Sequence, residues 1–324
     1  MVLSASGTEA LSGAVRSNAR TRLLAAPVLL ALAGTLSAQD TVEGFPDLGL
    51  TNFSYVNQAT RDRYNDFELQ TSVQPFQIFD NVYYVGIEWA TSFLIDTGEG
   101  LILIDSLFGP YIETGVENIR ELGFDPNDVE YVLGTHGHFD HMGGHAYYQE
   151  NFGSTVGLTA ADWKRAEADK AQPLFGVEMA DADWVIADGE TLEIGDQTMT
   201  FYITPGHTEG VLSMEFTVRD GDDEYRAVVF GGGGAQPNDY WKNQTILGNI
   251  RRFQGLATQS PPFRVRFAGH TTGGGAVPGI PFFERREALE NRGSNDPHPF
   301  VDDPNVFRDS LDQAEENAVR AVLR

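Results

Sequence analysis

Seven residues, Thr135-His136-Gly137-His138-Phe139-Asp140-His141, come one glycine after the expected strand Val129–Leu133 and constrain this chain more than any other stretch. A solvated surface has no reason to gather four ligand-type side chains into six positions at the end of a strand. Alternate residues of an extended segment point the same way, so His136 and His138 can grip one cation while the turn through Asp140 and His141 faces a second. The chain contains no cysteine. That excludes disulfides, thiolate metal sites and a cysteine nucleophile together, and leaves any metal to His, Asp or Glu. Zinc favours imidazole nitrogen, and a catalytic zinc keeps one position open for water.

Only seven histidines occur in the chain. Two of those outside the cluster, His207 in Thr204-Pro-Gly-His207-Thr and His270 in Ala268-Gly-His270-Thr, also follow an apolar strand and stand beside glycine. Each is a candidate distal ligand delivered by a separate strand end. His145 falls four positions beyond His141 on an expected helix and reads as a capping or surface residue. His298, between Pro297 and Pro299, reads as loop.

Strands and helices alternate around these positions. Strands are expected at 81–86, 91–95, 101–104, 129–133 and 155–158, with a hairpin turn at Asp96-Thr-Gly-Glu-Gly100. Ile112, Val116, Ile119 and Leu122 recur at helical spacing between Pro110 and Gly123. Further helices are expected within 144–151 and over 160–170. The second half repeats the theme, with strands at 198–204, 212–218, 225–230 and 265–268 and helices at 240–256 and 305–323. The stretch 269–299, rich in Pro and Gly, reads as loop. This alternation is that of an α/β fold. Arg264 and Arg266 alternate on a strand and so face away from the core, while Trp89 and Trp241 stand where they border a cleft or simply pack.

Acidic residues outnumber basic ones 47 to 22, for a formal charge of -25. Polyphosphate backbones attract the opposite sign, so no nucleic-acid partner is expected. Arg16, Arg20 and Arg22, the apolar run 23–32 and the small residues ending in Ser37-Ala38 have the layout of a signal peptide. Cleavage after Ala38 would leave a mature chain of charge -27. The apolar run is shorter than the roughly 20 residues that cross a bilayer, so no membrane span is expected after cleavage. The expected organisation is a signal peptide over 1–38, an N-terminal extension over 39–75 and one hydrolase domain over 76–324, in a periplasmic or secreted protein of open oligomeric state.

With the complete HxHxDH stretch of 136–141 followed by the later Gly-His pairs at 207 and 270, the sequence resembles the metallo-β-lactamase superfamily. Its finer details resemble subclass B3: a histidine at 141, the order strand, HxHxDH, helix, Gly-His-Thr, and a late Gly-His after a long helix. The resemblance implies an αββα sandwich with two zinc ions at one edge between the sheets. By that resemblance His136, His138 and His207 hold the first zinc, and Asp140, His141 and His270 the second. Asp105, at the end of the strand 101–104, matches the family's acid that orients a ligand. Many non-lactamase members carry a bridging aspartate before the long helix; the corresponding stretch here, Val228-Val-Phe-Gly-Gly-Gly-Gly234, has no carboxylate. It also has no serine, where B3 lactamases use one to hold the substrate carboxylate.

These features together imply a dizinc hydrolase acting on a small molecule. Zinc lowers the pKa of bound water to about 7 and polarises a carbonyl, and Asp140 would both ligate metal and hold the attacking water. The expected substrate is a cyclic amide of β-lactam type, turned over weakly because Gly231–Gly234 offer no side-chain anchor. The alternatives are the same metal chemistry on a lactone, ester or thioester, and a metal-binding protein without catalysis.

Overall fold

Two β-sheets stack face to face because alternate residues along their strands present an apolar face to the layer between them. The computed structural model describes residues 72–109, 111–169, 179–231, 239–271 and 281–323, all of them in one compact unit. The expected signal peptide and most of the N-terminal extension lie outside the described residues, as do Pro110, Gly232–Gly234 and Thr272.

The first sheet has the order β1 (Phe76–Phe79), β2 (Val82–Tyr84), β3 (Phe93–Asp96), β4 (Leu101–Ile104), β5 (Val129–Leu133), β6 (Thr155–Thr159), β7 (Trp184–Ile186). Strands β1 to β4 run antiparallel, and β4 to β7 are parallel neighbours. The second sheet has the order β12 (Phe263–Phe267), β11 (Asp223–Val229), β10 (Leu212–Asp220), β9 (Gln197–Ile203), β8 (Thr191–Ile194). It is antiparallel except for the β11–β12 pair.

The period of two decides which layer each side chain joins. Phe93, Ile95, Ile102 and Ile104 point between the sheets and meet Phe201, Met214, Phe216, Val229 and Phe267. Their neighbours Leu94, Leu101 and Leu103 point outward into a second cluster with Val116 and Ile119, on helix α1 (Tyr111–Glu121). The short α2 (Phe139–Met142), α3 (His145–Phe152) and α4 (Ala160–Asp169) follow on the same half of the chain. On the far side, Val228 packs against Ile246, Ile250 and Phe253 of α5 (Tyr240–Ala257) and Phe307 and Leu311 of α7 (Val306–Val322). The layers are therefore helix, sheet, sheet, helix, the αββα sandwich expected.

Four elements and one side chain depart from the sequence reading. Helix α6 (Phe282–Glu290) interrupts the stretch 269–299, where an even mix of charged and apolar residues hides any amphipathic stripe. Strands β1, β7 and β8 are short, and their half-buried pattern carries little period-two signal. Arg266 does face away from the inter-sheet core, but α7 covers that face. Its guanidinium is buried, 3.2 Å from Asp302, with Ser310 Oγ accepting from it at 3.0 Å.

Phe216 is buried between the sheets and stacks on Phe267 with centroids 6.1 Å apart. Phe216→Ala should cost about 3–5 kcal/mol of stability, the usual range for emptying an aromatic site in a core. Urea unfolding at unchanged m-value checks this, and a loss below about 1 kcal/mol would contradict the packing described.

Candidate metal centre

Every candidate ligand stands just beyond the carboxyl end of a strand. His136, His138, Asp140 and His141 follow β5, His207 follows β9 and His270 follows β12. Strands from both sheets thus deliver donors to one edge of the sandwich. All six residues come together there in two groups, His136 with His138 and His207, and Asp140 with His141 and His270. Within each group the ligand-type atoms lie within 4.8 Å of one another.

In the first group the Nδ1 atom of His138 faces His136 Nε2 at 2.9 Å and His207 Nε2 at 2.9 Å. In the second, His141 Nε2 lies 3.3 Å from Asp140 Oδ2 and 3.3 Å from His270 Nε2, and His270 Nε2 lies 3.5 Å from Asp140 Oδ2. Tetrahedral zinc with bonds of about 2.0–2.1 Å holds its ligand atoms about 3.3 Å apart. The donor set and spacing of both groups therefore fit such an ion. The groups adjoin, with the His136 and His141 rings 4.1 Å apart.

Hydrogen bonds behind the donors select the tautomers. Asp105 is buried at the end of β4; its Oδ2 lies 2.7 Å from His141 Nδ1, and its Oδ1 accepts from the Thr135 backbone N–H at 2.7 Å. Thr135 Oγ1 donates to Asp105 Oδ2 at 2.9 Å and sits 3.2 Å from His136 Nδ1. With the hydroxyl proton given to the carboxylate, that oxygen accepts from His136 Nδ1–H, which leaves His136 Nε2 bare. In the same way Asp105 takes the Nδ1–H of His141, which assigns Nε2 as the atom that would face a metal. Asp105 takes φ +60°, a region that costs a non-glycine residue of order 1–3 kcal/mol; its hydrogen bonds hold it there.

Close approach shapes the second group. A Cβ at Gly269 would stand 2.7 Å from His141 Cε1, so only glycine lets the β12 loop bring His270 this near. Trp89, expected to border a cleft or simply to pack, is 5% exposed and stacks on the His270 ring with centroids 4.3 Å apart and planes 20° apart. The bridge Ala90–His270 and the Thr271 N–H donated to Trp89 O at 3.1 Å tie the two segments together.

His145 joins neither group. It begins α3, fully buried rather than on the surface, with Nδ1 2.8 Å from Ser106 Oγ. His298 does lie in a loop, buried and stacked on Phe79 with centroids 4.1 Å apart. One residue escaped the sequence reading. Asp162 on α4 is buried and accepts from Gly137 N–H and Thr208 Oγ1, both at 2.9 Å, so it joins the loop of His138 to that of His207. No local pattern marks it, because its partners are distant in sequence.

Burial sets most of the protonation states. It pushes the imidazoles of His136, His138, His207 and His270 down, His138 to about 3 and His270 to about 4, with neighbouring histidines adding to the effect. For His141 burial works downward but the carboxylates of Asp140 and Asp105 outweigh it, raising the group to about 10. Burial likewise pushes Asp140 up, yet His141, His270 and His138 hold it well below the usual carboxylate range. Four neutral imidazoles and an ionised carboxylate are ready for a cation without first losing a proton.

In metal-free protein the four depressed imidazoles bind fewer protons than they do unfolded. Stability should therefore fall as pH drops from about 6.5 towards 3. His141 acts oppositely: its contribution is complete below pH about 6.5 and is lost as pH rises towards 10. Urea midpoints of chelated protein should thus peak near neutrality, and Asp105→Asn should weaken the alkaline fall. A flat profile would contradict these states.

The sequence model of the metallo-beta-lactamase superfamily matches residues 90–222. A hydroxyacylglutathione hydrolase of Acidiphilium cryptum (strain JF-5) is 30% identical over 88 residues, which are 27% of this chain and 31% of that protein. The chain thus matches less than a third of this relative's length. Among solved structures, the subclass B3 metallo-beta-lactamase BJP-1 of Bradyrhizobium japonicum superposes with a TM-score of 0.64 at 24% identity, covering 79% of this chain and 96% of that one. Native FEZ-1 metallo-beta-lactamase from Legionella gormanii gives 0.65 at 24% identity, covering 78% and 96%. At these identities the superpositions establish the fold, and the family match spans the first five candidate ligands. The family model thus matches the motif region of the chain, and the fold is the one shared by these B3 metallo-beta-lactamases.

Proposed function

We propose that this hydrolase works with two zinc ions, one held by His136, His138 and His207 and the other by Asp140, His141 and His270, and opens a cyclic amide of β-lactam type. The observation that carries the reading is the pair of adjoining three-donor groups, since a second cation beside the first is what a two-metal hydrolase requires. Zinc, when bound, supplies Lewis-acid polarisation of a carbonyl and a water that ionises near pH 7.

The chain's own residues do the rest. Asp140 stays ionised throughout the working range, so it can accept a hydrogen bond from an attacking water as well as ligate. Asp105 fixes the His141 tautomer, and Thr135 that of His136. Asp162 ties down the loops carrying His138 and His207. His207 has its ring enclosed on the ligand side and its outer side open to solvent, and it lines a cavity of about 660 Å³, which gives a small molecule access to the first group.

A lactone, ester or thioester is the second reading. The matched stretch of a hydroxyacylglutathione hydrolase favours it, as does the absence of a serine or any cation in 231–234. The reading takes 76–324 as the hydrolase domain and 1–38 as a segment removed on export, which puts the mature enzyme in the periplasm or outside the cell. Among the described residues no helix is long and apolar enough to cross a membrane.

Purified protein should hold about two zinc ions per chain, lose hydrolysis on chelation and regain it with zinc. His207→Ala should lose one zinc and nearly all turnover, while Asp140→Asn should lower kcat by about 10²–10³-fold, the scale for deleting one electrostatic group. Turnover by metal-free protein would refute the mechanism. A panel of β-lactams, lactones and thioesters decides between the substrate readings. Export is tested separately: the secreted protein should begin at Gln39, and an intact Met1 in mass spectra of that material would refute the signal peptide.

A further inference from the structure

The cavity beside His207 is walled by α4, by the loop after β9 and by the start of α5, and it carries Arg165, Lys242 and Trp241. Among the described residues nearly every lysine and arginine is engaged by a carboxylate or carbonyl. Arg165, Lys242 and their neighbour Lys164 are the exceptions, and two of these three line this one cavity. Arg165 is close to the ligand loop itself: its Cδ lies 3.4 Å from where a Cβ would stand on Gly137, between His136 and His138. Lys242 approaches from the first turn of α5. Both cations depress the pKa of His207, after the larger effects of burial and of His141.

The carboxylates in the same wall are mostly committed. Asp162 accepts from Gly137 N–H and Thr208 Oγ1, and Asp239 accepts from the Lys242 backbone N–H at 3.0 Å. Glu209 stands exposed at the rim. Three carboxylates thus share the wall with two cations, but Asp162 and Asp239 turn their oxygens to N–H and O–H donors of the protein, which leaves the Arg165 and Lys242 side chains without a salt bridge among the described residues. Trp241, 80% exposed, adds an aromatic face to the same wall. A substrate body can lie against it while its charged end meets the cations.

We propose that Arg165 and Lys242 recognise an anionic group remote from the scissile carbonyl, so that the natural substrates are acyl compounds bearing a carboxylate or a phosphate. The proposal rests on the hydrolase reading and names the substrate class for that site. It also supplies the anion anchor that the residues of 231–234 do not, from helices α4 and α5 instead.

The test uses zinc-loaded full-length protein and three 4-nitrophenyl esters that share a four-carbon acyl chain: butyrate (unsubstituted, neutral), hemiglutarate (a carboxylate on the fourth carbon) and 4-phosphonobutyrate (a phosphonate there, standing in for phosphate). Two partly exposed charge contacts should give a preference in kcat/KM of about five- to tenfold for an anionic ester over butyrate, carried by KM. The better anion identifies the group. The Arg165→Gln, Lys242→Gln double variant should bring the ratio to about one, and Lys242→Glu should reduce it by itself. Calorimetry with glutarate, run on wild type and the double variant, reads the same site without turnover and should show binding only to wild type. If butyrate is hydrolysed but the anionic esters are not preferred, or the preference survives the double variant, the anion site is refuted and the hydrolase reading stands. If no ester, lactone or lactam is hydrolysed by the zinc-loaded enzyme, the hydrolase reading fails, and the calorimetry alone then upholds or refutes the cation pair as an anion site.

Discussion

The buried carboxylate of Asp105 is the interaction on which the site depends. It receives the Thr135 N–H and hydroxyl and meets His141 Nδ1, so one side chain at the end of β4 fixes the start of the ligand loop and the ring at its far end. Its own backbone is anchored as well, donating to Leu133 O at 2.9 Å and accepting from Ser92 Oγ at 2.7 Å. A buried acid is costly unless fully hydrogen-bonded. Here each bond that satisfies the charge also orients a ligand, and the positive φ of Asp105 is sustained by the same contacts.

The remaining donors are placed by the meeting of the two sheets. Parallel neighbours β4, β5 and β6 send their carboxyl ends to one edge, where such sheets commonly build sites, and β9 and β12 reach that edge from the second sheet. Asp162 and Trp89 lock the two contributions together: Asp162 joins the β5 loop to the β9 loop, and Trp89 lies flat on His270 beyond β12. The aromatic and aliphatic layer between the sheets sets their separation, so core packing and donor geometry are one problem.

Electrostatically the centre is poised for cations. Several imidazoles buried side by side cannot all be protonated, and burial keeps four of them neutral. His141 alone is driven towards its charged form, because two carboxylates face it. The cation that answers Asp105 and Asp140 in the metal-free chain is thus the proton on His141, and a metal would replace it. The uncommitted Arg165 and Lys242 extend this positive character outward from the ligand loop into the cavity.

Much of this was legible in the sequence. The strand before the ligand loop, the four donors within it, the two later Gly-His pairs and the alternation of strands with helices are all signalled by local spacing, and local spacing survives in one dimension. The pairing of those donors came from family resemblance, and the structure brings the same six residues together. What local pattern could not supply depends on contacts between residues far apart in the chain. Trp89 reads as either a cleft aromatic or a packed one until β2 and β12 are seen to bring it onto His270. Arg266 reads as an outward charge until α7 covers it and Asp302 meets it, and His145 as a surface cap until Ser106 closes over it. Nothing near Arg165 or Lys242 reveals that they share a cavity, since α4 and α5 belong to opposite halves of the sequence. Local chemistry selected the donors, while long-range packing decided their neighbours, because burial and partnership are properties of the folded chain.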